Sequence, residues 1–266
     1  MSTTQDVTWD CHAHVIEDRV RYPLSPDRSY DPPAAPLHSY IEMLDRRGLE
    51  RGVLVQPSVY GFDNRCLLDA LDSAQGRLIG IAVPAPDSSP DQLQAMHRRG
   101  VRGVRCNLLN PGGLDTATVI GWQPVLRELG WHVELHIATL GISGLRAYLE
   151  RFDVPVVVDH IGRPRPGRVD PFFPLVDLVR DGACFVKLSA PYRLSDAAPP
   201  WHDVAPLARA LLAANPAACL WATDWPHTDS PLPVHEDDVF EALDDWCPQP
   251  GTREILLTQG AKILFG

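Results

Sequence analysis

Apolar, β-branched runs recur along the chain at 7–14, 52–58, 78–84, 101–107, 132–136, 156–161, 185–189 and 220–224, each bounded by turn or helix signals. Between them lie segments with helical spacing of apolar positions: 37–47, 65–74, 90–99, 122–129, 144–152, 172–180, 204–214 and 252–264. In 37–47, Leu37, Tyr40, Ile41 and Leu44 share a face, and Gly48 stops the helix. Eight alternations of about thirty residues each predict an α/β chain folded as a (β/α)8 TIM barrel, one domain over residues 1–266. The structural alternative, a doubly wound open sheet, usually carries a glycine-rich phosphate loop after its first strand, and none follows here. The stretch 15–36 has no periodicity and is rich in Pro, Asp, Arg and Tyr. A loop of that length is expected to wall or cover a pocket.

A barrel puts its active site at the C-terminal ends of its strands. Those ends carry His12 and His14, Ser58 and Tyr60, Arg105 and Asn107, Glu134 and His136, His160, Ser189 with Tyr192 and Arg193, and Asp224. Polar groups at nearly every strand end, directly after apolar runs, point to an enzyme. Side chains alternate along a strand, so His12 and His14 are expected to point the same way. Glu134 inside a strand needs a partner, and an orienting pair with His136 is expected. Asn64 and Arg65 are lesser candidates; His97, His202 and His235 are expected in solvent, and His132 deeper in the barrel.

Composition narrows the partners. Apolar residues make up 45% and charged residues 22%, enough for a sizeable core. The net charge of −10 disfavours nucleic acid but permits an anionic substrate held by local arginines. No apolar run is long enough for a membrane span. Residues 1–10 lack a basic head and an apolar core, so a cytoplasmic location without a signal peptide is expected. The six cysteines form no C-x-x-C pair and are expected as reduced, mostly buried thiols. A homo-oligomer is compatible with this sequence.

The His-x-His of the first strand, the His160 and Asp224 strands, and the segments Val-Gln-Pro-Ser-Val-Tyr-Gly-Phe-Asp-Asn-Arg, Val-Arg-Gly-Val-Arg-Cys-Asn, Val-Lys-Leu-Ser-Ala-Pro-Tyr-Arg and Thr-Asp-Trp-Pro-His resemble the amidohydrolase superfamily. The likeness is to its lactonase subgroup, which holds 2-pyrone-4,6-dicarboxylate lactonases, 4-sulfomuconolactonases and D-galactarolactone isomerases. It runs from Trp9 to the last helix. The resemblance implies a barrel enzyme that opens the cyclic ester of a carboxylate-bearing lactone. Asp224 would be the general base, with His12, His14 and His160 as catalytic histidines and Arg105 and Arg193 as anchors for carboxylates. Ser58, Tyr60, Tyr192, Asn107, Glu134 and His136 complete the expected substrate-binding set. Lactone isomerisation and zinc-dependent hydrolysis or decarboxylation are the alternatives on the same scaffold. The resemblance implies either no required cofactor or one divalent metal such as zinc, on His12, His14 and Asp224. Two-metal members carry a bridging lysine at the end of the fourth strand; Arg105 stands there instead.

Overall fold

The structure is a computed structural model that describes residues 6–111, 113–139, 144–164, 172–230 and 232–266. Eight parallel strands follow one another in chain order around a sheet: β1 (Trp9–Ala13), β2 (Arg51–Val55), β3 (Leu78–Ala82), β4 (Val101–Asn107), β5 (His132–His136), β6 (Val156–Val158), β7 (Phe185–Leu188) and β8 (Cys219–Trp221). The helices are α1 (Leu37–Arg47), α2 (Arg65–Ser73), α3 (Pro90–Arg98), α4 (Thr116–Gly121), α5 (Gln123–Glu128), α6 (Leu145–Leu149), α7 (Phe173–Arg180), α8 (Ala205–Ala214), α9 (Glu236–Trp246) and α10 (Thr252–Phe265). This is the (β/α)8 barrel that the alternation predicts. Among the described residues, no helix is long and apolar enough to cross a membrane. All six thiols are free, and all but the half-buried Cys247 are buried.

The β8–β1 seam is closed by a few specific bonds. His14 N–H donates to the Trp225 carbonyl at 2.7 Å, and Asp224 N–H to the His12 carbonyl at 3.0 Å. Asp10 reinforces the seam: its carboxylate accepts from Thr223 N–H at 2.8 Å, the Thr223 hydroxyl at 2.6 Å and the Tyr40 hydroxyl at 3.1 Å. The register shifts between Asp10 and Ala13. The irregularity lets Asp10 face α1 while His12 faces Lys187 of β7 inside the barrel, although strict alternation would put both on one side.

The barrel interior is layered. Trp9, Cys11, Val53, Val55, Ile79, Ile81, Val157 and Leu220 form an apolar floor, on which Phe265 of α10 packs. Above it, at the strands' C-terminal ends, the interior turns polar. All strands but β4 and β5 stop short of their predicted ends, β2, β6 and β8 by three residues. His160, Ile161, Ala190 and Asp224 have φ of 51°, 57°, 51° and 58°, which turns the chain out of the sheet. Left-handed backbone at buried non-glycine residues is strained and concentrates at functional sites; here it re-aims His160 and Asp224.

Two helices were not expected, α4 and α9. In α9 the residues Glu236, Asp237 and Asp238 fill the first turn, where acids suit the helix dipole, and Val239, Phe240, Leu243 and Trp246 face the core. Helix α10 lies so close to β8 that a Cβ at Gly260 would run into the Cys219 carbonyl oxygen. Gly260→Ala is therefore expected to destabilise the protein by about 1–3 kcal/mol through overpacking, measured by urea denaturation.

Candidate active site

The histidines of the first strand meet at the top of the barrel. His12 Nε2 and His14 Nε2 lie 3.3 Å apart. Asp224 Oδ1 is 3.6 Å from the first and 3.5 Å from the second. The other oxygen of Asp224, Oδ2, accepts from the Tyr192 hydroxyl at 2.6 Å and from Arg193 Nε at 3.0 Å. Oδ1 has no hydrogen-bond donor among the described residues. One oxygen is thus clamped and the other left reactive. Burial pushes the Asp224 carboxyl up, but the neighbouring polar groups, the Arg193 guanidinium among them, outweigh it and hold it well below the usual range. Asp224 is ionised at neutral pH.

Beneath this triangle lies a buried ionic cluster. Lys187 Nζ donates to Glu134 Oε1 at 2.5 Å and to His12 Nδ1 at 3.0 Å, and stands 3.5 Å from Asp159 Oδ1. Arg105 binds Asp159 Oδ2 through Nε at 3.0 Å and a terminal nitrogen at 2.9 Å. Two cations face two carboxylates, which satisfies the requirement that buried charges be paired. Burial, then the Lys187 charge, lowers the His12 pKa to about 3, so its ring is neutral. Burial raises the Asp159 carboxyl, but Arg105 and Lys187 reverse this and hold it well below its ordinary value.

A small polar pocket opens above, lined on its barrel side by His14, Arg105, Asn107, His136, His160 and Arg193. Ser58, Asn110, Thr228, Asp229 and Tyr30 complete the wall. Tyr30 comes from the long loop after β1, which is pinned by the Ile16–Ala35 bridge, and lines the pocket beside Ser58 and Thr228. The loop walls the pocket, as its length suggests.

His160 Nδ1 pairs with the Ser189 hydroxyl at 2.8 Å. Its ring lies 5.2 Å from that of His136. His136 Nδ1 reaches Asn107 Oδ1 at 3.2 Å, an acceptor, so this nitrogen carries the proton. Its Nε2 then presents a lone pair that has no partner among the described residues. Burial lowers both imidazoles well below the ordinary value, with Arg105 adding to the effect at His136 and Asp224 opposing it at His160.

Most of the sequence-derived candidates converge here: His12, His14, His160, Asp224, Arg105, Arg193, Ser58, Tyr192, Asn107 and His136. Tyr60 stands apart; its hydroxyl accepts from the Glu17 amide at 3.2 Å and ties down the β1 loop. Glu134 and His136 have separate partners, Lys187 for one and Asn107 for the other. They share a strand face but sit one layer apart. Asn64 clamps both backbone groups of Val83, and Arg65 pairs with Asp63 at the surface. His132 lies deep, 3.4 Å from Glu134. His97 receives the Trp131 indole N–H at 3.0 Å instead of standing free.

Sequence reasoning missed Lys187, Asp159, Asp10, Tyr30 and Arg163. Lys187 had a signal: a lysine between apolar residues of a strand demands a partner as much as Glu134 does. Arg163, three residues after His160, has φ of 54°, is half-buried and lies within electrostatic reach of Arg193, Asp224 and Asp229.

The donor set has the geometry of a site for one divalent ion. His12 Nε2, His14 Nε2 and Asp224 Oδ1 form a triangle with edges of 3.3, 3.5 and 3.6 Å. Tetrahedral bonds of about 2.0–2.1 Å require ligand separations of about 3.3 Å. The unpartnered Oδ1 completes a nitrogen and oxygen set suited to zinc, and His160 is close enough to join. The residues fit a single ion, and Arg105 beside them is tied to Asp159.

A family model described as Amidohydrolase matches residues 9–266. The 4-sulfomuconolactone hydrolase of Hydrogenophaga intermedia is 38% identical over 272 residues, covering 97% of this chain and 88% of that one. The 2-pyrone-4,6-dicarboxylate hydrolase of Comamonas testosteroni is 32% identical, covering 96% and 89%. In structure, the chain is similar to a probable 2-pyrone-4,6-dicarboxylic acid hydrolase from Acinetobacter baumannii with citric acid bound, with a TM-score of 0.85, 28% identity and coverage of 97% and 99%. The chain therefore belongs to the amidohydrolase family of hydrolytic enzymes.

Proposed function

We propose that this enzyme hydrolyses the cyclic ester of a small acidic lactone, with Asp224 as general base. The observation that carries the reading is the asymmetry of Asp224. Tyr192 and Arg193 fix Oδ2, while Oδ1 is ionised, without a donor, and aimed at the histidine pair. Oδ1 takes a proton from water as the oxygen attacks the lactone carbonyl. The carbonyl oxygen gains negative charge, and Arg105, Arg193 and His160 are the available donors for it. The ring oxygen then leaves and recovers the proton held by Asp224. A lactone is an activated ester, so it needs less electrophilic help than an amide. If bound by His12, His14 and Asp224, a divalent ion would supply Lewis-acid polarisation or a water of lowered pKa.

Two guanidiniums, Arg105 and Arg193, line the pocket of a protein of net charge −10, and Arg163 lies within electrostatic reach of Arg193 and Asp224. Arg105 uses two N–H groups on Asp159, so three of the five on a guanidinium remain for an anionic substituent. The relatives' names specify sulfonated and dicarboxylated lactones, and one similar structure holds citric acid, a tricarboxylic acid. An acidic lactone fits the same pattern here.

Arg163→Ala is expected to raise KM for an acidic lactone about tenfold or more, with kcat little changed, since it removes binding shared by ground and transition states. Steady-state kinetics on an acidic lactone and its neutral methyl ester check this. A loss equal for both substrates would remove the anchoring role. Product identification separates hydrolysis, which yields the ring-opened acid, from isomerisation, which yields a second lactone, and from decarboxylation.

A further inference from the structure

We propose that Lys187 sets the divalent-cation affinity of the His12–His14–Asp224 triangle by holding His12 in the tautomer that cannot ligate. The inference concerns the triangle alone and is independent of which lactone the enzyme opens. Lys187 is wholly buried, and its ammonium can only donate. It stands 3.0 Å from His12 Nδ1, so that nitrogen supplies the lone pair and the proton of the neutral ring sits on Nε2. His12 Nε2–H points at His14 Nε2, 3.3 Å away. His14 is fixed in the complementary form, because its Nδ1 lies 2.7 Å from the Val55 carbonyl and must donate to it. The donors run in one direction: Lys187 to His12, His12 to His14, His14 to Val55.

A cation at the triangle needs a lone pair on both Nε2 atoms. His14 offers one as it stands. His12 offers one only after its proton moves to Nδ1, and two groups compete for that nitrogen. Lys187 Nζ opposes the move. Asp159 Oδ1 favours it: this oxygen is 3.5 Å from Nδ1, fully buried, and lacks a hydrogen-bond partner among the described residues. A carboxylate accepting the second N–H is the arrangement that orients a metal-bound imidazole. Loading the triangle therefore requires Lys187 to release His12 and keep only its carboxylate partners. Lys187 is a positioning residue, acting through His12.

Removing Lys187 alone would leave Glu134 and Asp159 with one cation between them, so the test uses the charge-balanced Lys187→Met/Glu134→Gln variant. Zinc affinity is measured on chelator-stripped wild type and variant by competition with a chromophoric chelator. Thermal melting of each confirms folding. The variant is expected to bind zinc about 10–100-fold more tightly, the range over which groups behind metal ligands act. Glu134→Gln alone, which keeps Lys187, is expected to show no tightening. Long-range ¹H–¹⁵N correlation of histidine-labelled, metal-free wild type is expected to show His12 protonated on Nε2, which needs no variant. Unchanged or weaker zinc binding by the folded double variant overturns the proposal. So does a wild-type His12 protonated on Nδ1.

Discussion

Asp224→Asn is expected to lower kcat for ring opening by about 10²–10⁴-fold, the usual contribution of a general base. The amide keeps the shape of the carboxylate. Its oxygen at the Oδ2 position still accepts from Tyr192 and Arg193, and its nitrogen at the Oδ1 position can donate to the His14 Nε2 lone pair. The fold and the pocket therefore persist while the proton acceptor is lost. Single-turnover kinetics, with circular dichroism to confirm the fold, measure the effect. Turnover near wild type in a folded variant would remove Asp224 from the proton-transfer step.

The second large effect is with pH. His12, His136 and His160 are buried, His227 is half-buried, and all four are uncharged in the folded protein; desolvation, the largest cause, lowers His12 to about 3 and His227 to about 4. In the unfolded chain each titrates near 6.5. A depressed folded pKa gives stability that is present above the unfolded pKa and lost as pH falls through the window below it. Asp10 acts in the opposite sense. Burial raises it to about 6 against the hydrogen bonds of Thr223, so near pH 5 the folded state holds one proton that the unfolded state has shed. Four imidazoles set against one carboxyl leave a net uptake of about three protons on unfolding, hence a loss of up to about 4 kcal/mol per pH unit near pH 5. Urea denaturation at pH 7, 6 and 5, with chelator present, should show the unfolding free energy collapsing over that window. A flat profile would mean that these histidines are charged in the folded state.

The barrel and the ring of strand-end residues were legible because both rest on local periodicity. Apolar runs mark the strands, and the residue that ends each run lies at the active face whatever its identity. Three things were not legible, each for a physical reason. Left-handed turns at His160 and Asp224 are set by tertiary packing and leave no mark in residue type. The parity of β1 is broken by an irregularity between Asp10 and Ala13, so the Asp10 seam clamp could not be told from a site carboxylate. Pairings across the barrel depend on which layers face one another. Glu134 on β5 meets Lys187 on β7, two strands on and 53 residues away in sequence, instead of His136 two residues along its own strand.

In the proposed reaction, water activated at Asp224 opens an acidic lactone. The most direct test is to incubate the enzyme with 4-sulfomuconolactone and with 2-pyrone-4,6-dicarboxylate in ¹⁸O-labelled water and analyse the products by mass spectrometry. The account predicts a ring-opened acid carrying one ¹⁸O atom from at least one of the two, with the signal abolished in Asp224→Asn. An unlabelled isomeric lactone, or carbon dioxide release without ring opening, would contradict it.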